Sequence, residues 1–154
     1  MHVPQYLADQ QIAFETIVHP PAYSAQKLAK CLHVSGKHVV KAVLLSGPSG
    51  FLLAVLPATH QIDTDSLTAV FGGTVRLAND LEIANVFRDC EWGVVPPFGV
   101  LYGLPTIMHE TLDPDSMLIF ESNTHFEAIR MRCRDFERLE KPRRLRFGVS
   151  HRID

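Results

Sequence analysis

Two apolar runs, HVVKAVLL (38–45) and FLLAVLP (51–57), flank SGPSG, and no other feature constrains the fold as strongly. Runs of seven or eight residues rich in Val and Leu are of strand length, and a short Gly/Pro/Ser link between them predicts a hairpin. ETIVHPP reads as a strand ended by prolines, and TVRLA, VLYGLPTIM, SMLIFES and FEAIRMR add further strands. The helices between them carry start and stop signals. Pro4 opens a short helix over PQYLADQQIAF, with Tyr6, Leu7 and Phe14 as core contacts. Ser24 caps SAQKLAKCLHV, which Ser35-Gly36 ends; Asp63 opens DSLTAVF, which Gly72-Gly73 closes. Asn79 with Glu82 makes a capping box for NDLEIANVF, and RDFERLE ends at Lys141-Pro142. Strands outnumber the crossover helices that a parallel sheet requires. The expected fold is therefore α+β, with a mixed, largely antiparallel sheet flanked by helices.

A chain of 154 residues, 46% of them hydrophobic, is long enough for one such domain with a real core. No apolar run reaches the roughly 18 residues of a membrane span, and MHVPQYLADQQIAF lacks the pattern of a secretory signal. Cys31, Cys90 and Cys133 are odd in number and widely spaced, which argues against a disulfide framework or a zinc site and fits a reducing cytoplasm. A Cys/His nucleophilic pair stays open, since such partners meet only in space. No G-x-x-x-x-G-K-[ST], G-x-S-x-G or H-E-x-x-H is present. No metal or other cofactor is expected.

Charge is uneven. Residues 130–154 hold nine of the 15 Lys/Arg and four of the 17 Asp/Glu, a local +5 against −7 for the remainder. The expected organisation is a domain over 1–141 and a basic tail over 142–154. That tail either meets a polyanion such as RNA or is simply solvated.

Two features stand out as candidate chemistry. Lys41 interrupts VVKAVLL, where a buried ammonium costs several kcal/mol unless it reaches water or an anion. It is either an edge lysine with a wet head or a cleft lysine acting as a point charge for phosphate or carboxylate. The stretch EWGVVPPFG (91–99) is stiff in its middle and permissive at its glycines, either a rigid corner or the wall of a binding site.

In order, HPPAYSAQKLA, VVKAVLL, FLLAVLP, RLANDLEIANVF and WGVVPPFG resemble the YbaK/prolyl-tRNA-synthetase editing domain family, over about residues 3–140. The resemblance implies a compact α+β domain with a curved sheet that hydrolyses the ester of mischarged aminoacyl-tRNA without a metal. It implies the 3′ acceptor end of aminoacyl-tRNA as partner, with an aminoacyl-tRNA synthetase as a second candidate, and neither DNA nor a membrane. Lys41 falls on the family's phosphate-clamping lysine. Gly93 and Pro97 fall on its G-x-x-x-P loop, which holds the aminoacyl group and offers backbone N–H groups to the ester. Val94 stands where the family often has glycine, and Pro96 where it has serine. Pro96 has no N–H, so the oxyanion contact is expected from Val94 or Val95. Val94, Val95 and Phe98 would narrow the pocket, with Gly99 closing the loop. His125 lies where some relatives place a histidine at the pocket rim, and is otherwise a surface group. His19 matches the family's HP pair and is either structural or a pocket wall. Asn79 and Asp80 are helix-capping residues. The rival reading of the same fold is a non-catalytic module that binds tRNA, a nucleotide or a small regulatory ligand.

Overall fold

A computed structural model of the chain describes residues 2–150. The hairpin forms as its composition predicts. β2 (Val40–Gly47) pairs antiparallel with β3 (Gly50–Pro57) from Val40↔Pro57 to Gly47↔Gly50, and Pro48-Ser49 makes the two-residue turn. Ahead of it come α1 (Val3–Asp9), β1 (Phe14–Val18) and α2 (Ala25–Cys31). After it come β4 (His60–Ile62), α3 (Thr64–Phe71), β5 (Arg76–Leu77) and α4 (Asp80–Val86). A 3-10 turn over Gly99–Tyr102 leads to β6 (Thr106–His109), β7 (Met117–Glu121), β8 (Glu127–Arg132) and α5 (Cys133–Glu140). β9 (Arg143–Leu145) and β10 (Gly148–Ser150) finish the described chain. None of these helices is long and apolar enough to cross a membrane.

The central sheet has the order β5-β2-β3-β6-β9, with β3–β6 and β6–β9 parallel and the other pairs antiparallel. β3 is buried from Leu52 to Pro57, as a strand covered on both faces must be. Its alternation feeds two cores: Val55 points into a cluster with Leu7, Phe98, Phe120 and Phe136, while Leu52, Ala54 and Leu56 join Leu67, Ile107 and Phe147. A second sheet, β1-β8-β7, is wholly antiparallel. The two sheets touch at one isolated parallel bridge, Val39↔Ile119, where the Ile119 N–H donates to the His38 carbonyl at 2.9 Å.

The segment after Pro142 is no appendage up to Ser150. β9 extends the central sheet, β10 pairs with β4, and Phe147 is 1% exposed between them. Part of its positive charge is paired: Arg144 with Glu137 and Arg146 with Glu110. Ahead of it, Arg134 pairs with Asp115, Arg138 with Asp135 and Arg130 with Glu15. Residues 151–154 of the expected tail lie outside the described residues.

Candidate active site

Beyond the Val39↔Ile119 bridge, β2 and β7 belong to different sheets, and the gap between them is a cleft of about 120 Å³. Val40, Lys41 and Ala42 wall one side, Phe120 and Glu121 the other. The start of α2, with Tyr23 and Ser24, and the residues Gly93, Val95, Pro97 and His125 complete the lining. Lys41, the G-x-x-x-P loop and His125, far apart in sequence, thus meet in one cavity.

Lys41 is half-buried and pairs with no carboxylate among the described residues. Burial pushes its ammonium below the usual lysine range.

Along the loop the residues alternate. Gly93, Val95 and Pro97 line the cleft, while Val94, Pro96 and Phe98 are buried and do not. Val94 is 1% exposed, backs onto Ile83 and Phe87, and donates its N–H to the Glu91 carbonyl at 3.0 Å. That bond removes Val94 from the expected oxyanion donors. The N–H groups of Gly93 and Val95 have no partner among the described residues. Phe98 does not narrow the pocket either. It lies in the core, edge-on to Tyr6, Phe120 and Phe136 with ring centroids 5.4–5.8 Å apart. Gly99 also lies away from the cleft. A Cβ there would come within 2.7 Å of the Leu104 carbonyl and closer still to the Thr106 hydroxyl, so the chain can pass only as glycine.

His125 fastens the loop to the second sheet. Its Nε2–H donates to the Trp92 carbonyl at 2.9 Å, which places Nδ1 toward the Glu121 carboxylate, 3.2 Å away. Its backbone N–H donates to Glu91, and its ring lies 4.8 Å from that of Tyr23. Burial pushes the Glu121 carboxyl up, against the pull of His125 and His19. His19 is 5% exposed, donates Nδ1–H to the Pro20 carbonyl at 2.7 Å, and does not line the cleft. Behind the loop, Asn123 accepts from the Val3 N–H and donates to the Cys90 sulfur, while Tyr102 donates to Asp89 at 2.7 Å.

Burial pushes the Cys90 and Cys133 thiols up to about 11, which disfavours the thiolate near neutrality. Sequence reasoning missed Glu121 and Tyr23. The signal for Glu121 was present: a carboxylate closing the apolar run MLIF, four residues before His125.

A model of the aminoacyl-tRNA editing domain family matches residues 19–139. The proline–tRNA ligase of Pseudothermotoga lettingae is 29% identical over 99 residues, covering 62% of this chain and 17% of the ligase. The chain therefore spans under a fifth of that relative's length. The solved structure of hypothetical protein APE2540 superposes with a TM-score of 0.86 at 16% identity, covering 96% of this chain and 99% of its own. A proposed trans-editing enzyme for prolyl tRNA synthetase superposes at 0.77 with 19% identity, covering 89% and 87%.

Proposed function

The chain belongs to the aminoacyl-tRNA editing domain family, and within it we propose that this protein hydrolyses the ester of mischarged aminoacyl-tRNA, releasing a small amino acid. One observation carries the reading: a half-buried lysine without an ion-pair partner shares a small cleft with a loop whose Gly93 and Val95 N–H groups are unpaired. Lys41 grips a phosphate of the tRNA 3′ end and so sets the register of the terminal adenosine. Gly93 and Val95 donate to the ester carbonyl oxygen as it gains negative charge. A water oxygen bonds to the carbonyl carbon, the bond from carbon to the ribose oxygen breaks, and the water's proton ends on that leaving oxygen. An ester is already activated, so orientation and oxyanion stabilisation suffice without a side-chain nucleophile.

Val95 and Phe120, both lining the cleft, bound the acyl end and favour a small side chain. Each surplus methylene is refused by about 1–3 kcal/mol. Proline tRNA is the first candidate substrate, because the matched relative is a proline–tRNA ligase.

The test is deacylation of a panel of mischarged tRNAs by the wild-type protein and by Lys41→Ala. We expect turnover of at least one member by the wild type. The variant should lose about 100-fold, the loss of one charge-assisted contact of about 2–3 kcal/mol, with its thermal melt unchanged. Salt-sensitive tRNA binding without release of amino acid would establish the non-catalytic module instead. Full turnover by Lys41→Ala would remove that residue from the reaction.

A further inference from the structure

The cleft contains a second charged group that the hydrolysis above does not use. Glu121 ends β7 on the wall opposite Lys41, with its side chain 18% exposed. One carboxylate oxygen, Oε2, lies 3.2 Å from His125 Nδ1, an ion pair when the imidazole is protonated; neither oxygen has a hydrogen-bond partner among the described residues. Lys41 and Glu121 line the same cavity, yet they form no ion pair with each other. A cleft that keeps a cation and a carboxylate apart suits a ligand with both signs of charge, held at the same separation.

The ester end of aminoacyl-tRNA has this character. It carries phosphate on the nucleotide side and a free α-ammonium on the acyl side, whatever the amino acid. On the reading of the site proposed above, we propose that Glu121 recognises the α-ammonium of the aminoacyl group through Oε1, with His125 holding the carboxylate in place through Oε2. Burial already raises the cost of ionising Glu121 in the empty cleft, and an arriving ammonium offsets that cost. His125 is then a positioning residue: Nε2–H is fixed on the Trp92 carbonyl, which leaves Nδ1 facing Glu121, and the imidazolium form pairs with the carboxylate. Together with Lys41, the carboxylate fixes both ends of the ester, which orients the carbonyl toward Gly93 and Val95. An acyl group without the ammonium would be gripped at the phosphate end alone.

The experiment compares each aminoacyl-tRNA of the panel with its α-hydroxyacyl counterpart, made by nitrous acid deamination. This replaces the ammonium by a hydroxyl of nearly the same size. Each enzymatic rate is divided by the rate of spontaneous hydrolysis, which removes the different lability of the two esters. We expect the wild type to prefer the amino ester by at least about tenfold, and Glu121→Gln to bring the ratio close to one. Glu121→Asp, which keeps the charge but withdraws it by one methylene, should give an intermediate ratio. Equal corrected rates with the wild type would overturn the role of Glu121 while leaving the hydrolase reading intact. That comparison needs no variant, so it stands even if the substitutions fail to fold. A preference retained in Glu121→Gln would also overturn the role, by assigning the ammonium to another group. No turnover of any ester by the wild type would remove the hydrolase reading, and this proposal with it.

Discussion

Gly93 adopts φ +86°, a conformation that a side chain makes costly by about 1–2 kcal/mol. Space is not the obstacle, since an added Cβ would sit 3.9 Å from His125 Nε2, an ordinary contact. Gly93→Ala should therefore lower the melting temperature by only about 3–6 °C. Its ester turnover should fall more than about tenfold, because relief of the strain turns the peptide N–H away from the cleft. A melt and a deacylation assay on one preparation separate the two effects, and unchanged turnover would show that the loop's backbone geometry is not used. Lys41 stood out in the chain because it puts a charge in an apolar strand, whereas Gly93 and Pro97 were picked from their stiff loop only through the family resemblance. Glu121 left only a faint mark, a carboxylate closing MLIF four residues before His125. A carboxylate at the end of a strand is ordinary until the fold places it across a cavity from a lysine, and no local pattern encodes that distance.

Among the elements, α5 ends on an unusual residue. The Glu140 carboxylate lies at the helix C-terminus, where the helix dipole already disfavours negative charge. One oxygen accepts from the Val100 N–H at 3.3 Å and the Thr106 hydroxyl at 3.2 Å, while the other is buried without a partner. Burial pushes this carboxyl up to about 7. A raised acid binds its proton more tightly when folded, so its contribution to stability is full below about pH 4.5 and lost as pH rises through about 7. Glu140→Gln keeps an acceptor for Thr106 and carries no charge. It should gain on the order of 1–3 kcal/mol over the wild type at pH 8. Urea unfolding at pH 8 and pH 5 checks this, and a gain of the same size at both values would contradict the charge argument. The helix starts at Ser24, Asp63 and Asn79 were readable because a cap bonds within three residues of itself. Signals that depend on neighbours were not. The chain passes His33 at φ +55° and ends α2 before the expected Ser35-Gly36. VLYG, expected as strand, coils into a 3-10 turn closed by Gly103 in the left-handed region.

For the whole molecule, the main revision concerns where the domain ends. β9 and β10 are three residues each and exist only through their partners, β6 and β4, so nothing in KPRRLRFGVS announced them. A chain stopped after Pro142 would lose Phe147 and Leu145 from the cluster around Leu67 and Ile107 and would bare the edge of β6. Removal of a buried phenylalanine alone costs about 3–5 kcal/mol, so we expect the melting temperature to fall by at least about 10 °C or the product to be insoluble. A shortened chain that melts like the full one would return the segment to the status of a tail. The alternating loop bears on the molecule's history as well as its shape. Its outward positions 93, 95 and 97 answer to whatever enters the cleft, and its inward positions 94, 96 and 98 answer to the interior. Two messages are therefore interleaved in one short string. Val94 and Pro96 are both written in the inward message. A lineage could rewrite either text and leave the other intact, changing the wall of the cleft without relearning how to fold.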